Sequence, residues 1–362
     1  MVQDDLVVLK SLGIDVFNEN RRYWFIRTQS GMYYDDFINE NFVGIEWDEI
    51  SDLSFIKNAN EEEWKEKIIN TYKDVEKPGY IMNQIKKFVY DIKAGDIVII
   101  PNEKSRWLAI GEIVEDNVDI FEEKEEVDFE TLLESLDESE IKNNKTIIKK
   151  RRKVKWIRQF KRAEWDPYLQ GIIHSNSAVI SADKYGIYID RMLSQFYIKG
   201  DYAYYTYKVN KKKNIPYVDM LKFLNNNYEL INYINSYYPN LKINEEDLIL
   251  KINVQSKGPV QLKGAVRDVL IVGLIIGALF GTNMKFKIMG FEYQIQTDGL
   301  PALLNSIKEF STNEESKEQK KELQDIIEKL EKDKEALEIK FATENIESTN
   351  PDKGEISISK SE

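Results

Sequence analysis

The feature that most constrains this chain is an apolar segment, residues 265–284, with the sequence AVRDVLIVGLIIGALFGTNM. Between Val269 and Phe280 it carries no charged and no strongly polar side chain. Small residues recur every four positions and so lie on one side of a helix; they are Gly273, Gly277 and Gly281. In a bilayer such spacing lets helix backbones approach closely and associate. The pattern therefore predicts a helix that packs against copies of itself to line a pore.

The length of this segment leaves two alternatives open. Its strictly apolar run is about a dozen residues, which is more typical of a buried core helix or an interfacial segment than of a membrane span. Adding the flanks gives about twenty residues, the usual spanning length, but takes in Arg267 and Asp268. Basic residues flank both ends, so the positive-inside rule indicates no orientation. A transmembrane helix and a helix in a protein or oligomer core both remain consistent with the sequence.

Composition excludes several classes of site. The 362 residues carry a formal net charge of −12 and 42% hydrophobic residues, enough for two or three domains with cores of their own. The chain has no cysteine and one histidine, His174, which excludes thiolate and multi-histidine metal sites. It has no P-loop and no dinucleotide-binding glycine motif. We therefore expect no enzyme, no cofactor and no metal. The acidic start, MVQDDLVVLK, lacks a signal-length apolar run and predicts a cytosolic N-terminal region.

The pattern along the chain predicts an α+β protein in several segments. The first is a sensing domain, residues 1–195, with an acidic insertion at 112–145. The others are an α+β connecting domain (196–263), the apolar helix (264–284), a β-hairpin and helix (285–310), a charged helix (311–343) and a disordered tail (344–362).

A change of charge marks the middle of the sensing domain. Residues 112–140 are rich in Asp and Glu, whereas residues 145–162 are rich in Lys and Arg with apolar residues interleaved. The acidic block is typical of a solvated insertion, because like charges at that density repel. The basic segment has two interpretations. It is either a strand with a charged outer face, or an edge that contacts phosphates with aromatics available for stacking on bases.

Strand-like segments in the first half of the chain resemble those of a PUA/EVE-type domain. They are YWFIRT at 23–28, FVGIEW at 42–47, GDIVIIP at 95–101 and LAIGEI at 108–113, followed by VKW at 154–156 and DPYL at 166–169. The resemblance covers about residues 20–195. It implies a partly open β-barrel, with an aromatic-walled pocket that recognises a flipped base or a nucleotide.

By that resemblance six residues are candidates for ligand binding: Trp24, Arg27, Trp47, Arg106, Trp107 and Trp156. Aromatic faces stack on any base, and arginine pairs with phosphate through two parallel hydrogen bonds. For each tryptophan, a place in the barrel core is the alternative.

A sensing domain joined to an apolar helix is similar to the effectors of nucleotide-signalled antiphage systems, the Hailong type among them. This resemblance implies a nucleotide or short oligonucleotide signal, a partner nucleotidyltransferase and a homo-oligomer, a tetramer in the Hailong type. It implies an inner-membrane location with a cytoplasmic sensing domain, or a cytoplasmic protein before activation. The first hypothesis is thus a signal-gated membrane effector. The alternative is a soluble reader of modified DNA that recruits a nuclease partner.

Overall fold

The computed structural model describes residues 3–72, 75–122, 146–252, 258–280, 300–312 and 316–341. The chain divides into two compact units. Residues 20–193 form the inserted unit, and residues 1–19 together with 194–362 form the terminal unit. Most of the predicted acidic insertion, the predicted hairpin, Gly281 and the predicted tail lie outside the described residues.

The elements are numbered along the chain. The helices are α1 (Gln3–Ser11), α2 (Tyr34–Asn39), α3 (Leu53–Asn58), α4 (Glu61–Thr71), α5 (Pro78–Lys86), α6 (Gly186–Leu193), α7 (Tyr217–Tyr237), α8 (Val266–Phe280), α9 (Leu300–Thr312) and α10 (Lys317–Leu337). The strands are β1 (Asp15–Phe17), β2 (Tyr23–Ile26), β3 (Phe42–Ile45), β4 (Ile97–Pro101), β5 (Trp107–Ile113), β6 (Asp119–Ile120), β7 (Lys150–Lys161), β8 (Val179–Ser181), β9 (Phe196–Lys199), β10 (Tyr202–Val209), β11 (Ile249–Ile252), β12 (Gly258–Ala265) and β13 (Ile339–Lys340).

The inserted unit is built on a sheet in the order β3-β7-β5-β4-β2-β8, with β6 beside β7. Strands β2 and β4 are parallel, and the other neighbours are antiparallel. The two sheets formed by the described residues are curled, and one is a half-barrel. The predicted α+β class is confirmed at this level, and the closer likeness to PUA/EVE-type barrels stays a prediction.

Strand β4 is buried over its whole length because a hydrophobic core lies on each face of its sheet. Successive side chains of a strand point to opposite faces. Val98 and Ile100 enter one core, and Ile97 and Ile99 enter the other. The continuous apolar sequence IVIIP is the pattern expected of a strand covered on both sides.

The terminal unit has a sheet in the order β1-β9-β10-β12-β11, with β13 beside β10. Strand β1 pairs in parallel with β9, which places Asp15 opposite Tyr197. The predicted sensing domain, residues 1–195, therefore begins too early: residues 1–19 belong with the second half of the chain. Local pattern could not reveal this, because the pairing joins segments about 180 residues apart.

Helix α8 contains the glycine-spaced segment and is part of the core of the terminal unit. It packs against β10 and β12, and every residue from Asp268 to Ala278 is buried. A Cβ atom on Gly273 would lie 2.6 Å from Cζ of Phe196 and 2.8 Å from Cδ2 of Tyr205. The missing side chain at this position therefore allows the helix to lie close to aromatic rings of its own chain.

The predicted transmembrane helix is wrong, and with it the predicted membrane and ion-channel assignments. In the described ranges of the chain, no helix has both the length and the apolar content needed to cross a membrane. Helix α8 has 15 residues, and Ala265, counted earlier with the apolar segment, is the last residue of β12. A helix that is apolar on all sides suits a protein core as well as a bilayer, and here a sheet covers it.

The charged segment predicted at 311–343 contains α10, which packs along α7. Its first turn is capped by Ser316, whose hydroxyl accepts from the backbone N–H of Gln319. Between the helices, the amide of Asn226 donates to the carboxylate of Asp333 at 2.6 Å. Burial raises the pKa of Asp333 above its usual value. This polar pair joins the two helices within their buried interface.

Candidate functional site

Two loops of the inserted unit meet at one edge of its sheet. Because β2 and β4 are parallel neighbours, the chain leaves both strands at the same edge. The first loop is residues 28–33 and the second loop is residues 102–106. The hydroxyl of Thr28 donates to the carbonyl of Pro101 at 2.5 Å and ties the start of the first loop to the end of β4.

Both loops contain residues other than glycine in the left-handed backbone region. Gln29 and Ser30 have φ of 46° and 56°, and Lys104 and Ser105 have φ of 55° and 51°. This region is uncommon for residues with side chains, and such strain clusters at active sites and ligand sites. At Gly31, with φ of 101°, an added Cβ would lie 2.3 Å from the backbone nitrogen of Glu103. The two loops therefore approach each other backbone to backbone.

The loops border a cleft of about 680 Å³ whose aromatic wall is the half-buried ring of Trp107. Oδ1 of Asn102 accepts from the backbone N–H of Trp107 at 2.7 Å. Oε1 of Gln159 accepts from the hydroxyl of Tyr34 at 3.1 Å. Because both amide oxygens are held, the two NH₂ groups are the parts of these side chains that can donate to a ligand. Burial, and then the nearby Asp35 carboxylate, raise the pKa of Tyr34, which keeps its hydroxyl a donor.

The cleft is acidic, and basic residues lie beside it. Asp35 and Glu103 are among the lining residues, and among the described residues that line it there is no lysine or arginine. Arg106 is exposed next to Trp107 in the sequence. Nζ of Lys161 lies 5.1 Å from the centre of the Trp107 ring. The arrangement suits a ligand whose polar ring lies within the cleft and whose anionic group lies outside it.

Of the six residues predicted to bind ligand, Trp107 lines this cleft. Trp24 is buried, and its indole N–H donates to Asp96 at 2.9 Å. Trp156 is half-buried, and its indole N–H donates to the carbonyl of Phe37 at 2.9 Å. Both rings pack in a hydrophobic core, which was the alternative considered for each tryptophan.

Arg27 and Trp47 do not line the cleft and make contacts elsewhere in the inserted unit. The guanidinium of Arg27 donates to the carbonyl of Ile173 at 2.7 Å and to that of Ser175. Trp47 has φ of 65°, and its ring centre lies 6.4 Å from that of Tyr80 in an edge-on contact. Its carbonyl accepts from the ammonium of Lys150 at 2.7 Å.

None of the polar residues that line the cleft was among the predicted ones, and Tyr34, Asn102 and Gln159 are examples. Asn102 follows the buried strand β4 directly, and an Asn at a strand end signals a turn. Gln159 is a neutral residue within a run of charged ones, and Tyr34 stands at the start of a short helix. No local pattern links three such separated residues, since the fold alone brings them together.

The basic segment forms β7, and its two halves differ. In the first half Lys150 and Arg152 are buried, Arg151 pairs with Glu40 at 2.8 Å, and Lys153 pairs with Glu115 at 2.9 Å. From Lys155 onward the basic side chains of the strand are exposed, at Lys155, Arg158 and Lys161, as is Arg162 directly after it. The first of the two interpretations, a strand with a charged outer face, therefore describes the start of β7. The second interpretation, an edge that contacts phosphates, can apply only to its exposed end.

Residues 24–179 match a family model described as a domain of unknown function (DUF8426). The match covers less than half of the 362 residues and lies within the inserted unit, where it contains both loops and all of β7. No curated protein and no solved structure matches the chain. Within the described ranges, no three His, Cys, Asp or Glu side chains are placed to hold a metal ion.

Proposed function

We propose that the inserted unit is a recognition module that binds one base of a nucleotide or oligonucleotide in the loop cleft. The observation that carries the proposal is the half-buried Trp107 ring in a cleft framed by two strained loops. Stacking of a base on an aromatic side chain contributes about 1–3 kcal/mol and tolerates any base. The role is binding rather than catalysis.

The polar groups of the cleft support a base over a phosphate as the inserted group. The NH₂ groups of Asn102 and Gln159 can donate to ring nitrogens or carbonyl oxygens at a base edge. The carboxylates of Asp35 and Glu103 can accept from amino groups, and they repel phosphate. The phosphates of the ligand would then lie outside, near Arg106 and Lys161.

The wider role stays a prediction that follows from the resemblance to the effectors of nucleotide-signalled antiphage systems. In it, the module is the signal sensor of an antiphage-defence effector that assembles with copies of itself and works with a nucleotidyltransferase. The alternative, a reader of modified DNA with a nuclease partner, would use the same cleft.

The test of the proposal is binding to the full-length chain, with a fluorescein-labelled single-stranded 12-mer as probe and the four deoxynucleoside monophosphates as competitors. We expect Trp107→Ala to weaken binding of the 12-mer by roughly 10- to 100-fold, because the stacking surface is lost. Fluorescence anisotropy gives the dissociation constants.

Tyr168→Ala is the control, because it removes an aromatic ring that is exposed and lies outside the cleft. It should change the affinity less than twofold. Equal affinities of Trp107→Ala and the unchanged chain would refute the proposal, as would failure of the unchanged chain to bind any of these probes.

A further inference from the structure

The two carboxylates of the loop cleft differ in whether they have a partner. The Glu103 carboxylate pairs with the ammonium of Lys104 at 3.3 Å. Asp35 lies in the first turn of α2, is exposed to solvent and lines the cleft. Among the described residues, none forms a hydrogen bond or an ion pair with its carboxylate. Asp35 is therefore an accessible acceptor that a ligand does not have to share.

A hydrogen-bond donor lies close to this acceptor. Tyr34 precedes Asp35 on α2, and its hydroxyl donates to Oε1 of Gln159 at 3.1 Å. Burial and, after it, the charge of the Asp35 carboxylate raise the pKa of Tyr34, which places that carboxylate near the hydroxyl. Gln159 is exposed and lines the cleft, and its NH₂ group remains to donate to a ligand. The cleft thus offers an amide donor and a carboxylate acceptor side by side.

The register of the sheet places the amide of Gln159 beside the ring of Trp107. Trp107 pairs with Lys161 across the antiparallel strands β5 and β7, and Gln159 stands two residues before Lys161. Opposite residues of such a pair, and residues two apart on one strand, point to the same face of the sheet. Trp107 and Gln159 are therefore diagonal neighbours on one face, a separation of about 7–8 Å. A base that stacks on the ring can reach the amide with its edge.

The common bases differ in the groups that they present along the base-pairing edge. Guanine presents the acceptor O6 next to two donors, N1–H and the N2 amino group. Adenine and cytosine present one amino group beside a ring nitrogen that accepts, and thymine presents N3–H between two carbonyl oxygens. A carboxylate can accept two parallel hydrogen bonds, as it does from arginine. Of these bases, guanine alone offers two adjacent donors to such a carboxylate.

We propose that the loop cleft prefers guanine, whose N1–H and N2–H donate to the Asp35 carboxylate while O6 accepts from the amide of Gln159. The guanine ring stacks on Trp107. This inference rests on the proposed function, because it requires that a base enters the cleft. Asp35 is then the residue that determines base specificity.

The experiment measures how strongly deoxynucleoside monophosphates displace the labelled 12-mer from the full-length chain. We expect deoxyguanosine monophosphate (dGMP) to bind roughly tenfold or more tightly than dAMP, dCMP and dTMP, because hydrogen bonds to a charged group are strong. Deoxyinosine monophosphate (dIMP) keeps O6 and N1–H but lacks the N2 amino group, and it should bind roughly fivefold more weakly than dGMP.

Two kinds of failure can be told apart in this experiment. Equal affinities for dGMP and dIMP, or for dGMP and dAMP, would overturn the guanine preference. Base binding in the cleft would still stand in that case if Trp107→Ala weakened binding of the 12-mer. Displacement by none of the monophosphates would overturn both proposals.

Asp35→Asn tests the carboxylate itself, and the fold should be retained because no described residue bonds to that group. Loss of the negative charge also reduces repulsion of every phosphate. The measure is therefore the ratio of the dGMP affinity to the dIMP affinity, in which this general effect cancels. We expect the ratio to fall to within about twofold of one, because the amide of asparagine cannot accept both hydrogen bonds.

Asp36→Asn is the matched control, since it makes the same change of charge in the same helical turn at a residue that does not line the cleft. The ratio of the two affinities should stay as in the unchanged chain. A ratio that is unchanged in Asp35→Asn, or that falls equally in both variants, would overturn the proposal.

Discussion

At the residue scale, the buried cations of β7 show how this fold uses charge inside a core. Lys150 donates to the carbonyl of Trp47, a residue with left-handed backbone, and lies 3.5 Å from Asp48. Arg152 donates to the carbonyls of Phe88 and Val89, in the π-helical turn that follows α5. Buried charges are tolerated when they are hydrogen-bonded, and here most of the partners are backbone carbonyls.

The first prediction concerns the pH dependence of stability. Burial lowers the pKa of Lys150 to about 8 from its ordinary value of 10.5, although the Asp48 carboxylate opposes the shift. Between these two values the unfolded chain binds more protons than the folded chain, so the contribution of Lys150 to the free energy of unfolding rises with pH. In Lys150→Met this contribution disappears.

Urea denaturation at pH 7.5 and pH 10 measures the effect. The free energy of unfolding of the unchanged chain minus that of Lys150→Met should increase by about 2 kcal/mol between the two pH values. The subtraction removes the titration of tyrosines and exposed lysines, which both chains share. A difference that stays constant, or falls, with rising pH would contradict the assigned burial.

At the element scale, the sequence patterns of α8 and β7 are each compatible with more than one structure. The apolar side chains of α8 could be buried against a sheet or in a bilayer, and in the structure they pack against a sheet. The lysines and arginines of β7 alternate between buried and exposed positions because strand side chains alternate between faces. In both elements the sequence determines which face is apolar or charged, and the neighbouring elements determine what packs against that face.

The prediction for α8 is that Gly273→Ala destabilises the terminal unit. The new methyl group would lie within 2.8 Å of the rings of Phe196 and Tyr205, and relief of such overpacking costs about 1–3 kcal/mol. Urea denaturation gives the change in the free energy of unfolding. Gly79→Ala is the control, since its methyl group meets open space and should be neutral or stabilising. Equal stability of Gly273→Ala and the unchanged chain would show that α8 does not pack as described.

The prediction for β7 is that its exposed half contacts phosphates if an oligonucleotide occupies the cleft. In the double variant Arg158→Gln/Lys161→Gln, the slope of log K against log salt for the 12-mer should become shallower by about 1.4, because two phosphate contacts are lost. Lys149→Gln/Lys153→Gln is the matched control at the other end of the same basic segment, with the same change of charge. A slope that changes equally in both double variants would indicate a general effect of net charge.

At the scale of the whole molecule, the chain consists of one unit inserted into another. The terminal unit is discontinuous: β1 pairs with β9, and Val8, Leu9 and Leu12 contribute to its core. The inserted unit has its own two cores, and the family match lies within it. A segment with its own core can fold alone, so the two units should respond differently to truncation.

We expect residues 20–193 alone to fold and to unfold in one cooperative urea transition. We expect residues 20–362, which lack α1 and β1, to have a terminal unit less stable by roughly 4 kcal/mol or more. The reason is that four core side chains are removed: Val8, Leu9, Leu12 and Ile14. Circular dichroism during urea denaturation measures the unfolding transition of residues 20–193 and the stability of residues 20–362. A fragment 20–193 without a cooperative transition, or a truncated chain as stable as the full one, would be inconsistent with the two units.

The sequence by itself determined the α+β class, and it predicted an apolar helix within residues 264–284 and a charged helix within residues 311–343, where the structure has Val266–Phe280 and Lys317–Leu337. These features depend on local periodicity, which a sequence displays directly. It also placed Trp107 among the candidates for ligand binding.

Only the tertiary structure decided that β1 joins the second half of the chain, that Lys150 and Arg152 are buried, and that Asn102 and Gln159 share a cleft with Trp107. Only it decided that a sheet covers α8. The reason is physical: periodicity shows which face of an element must be covered, but contacts between distant segments determine what covers it.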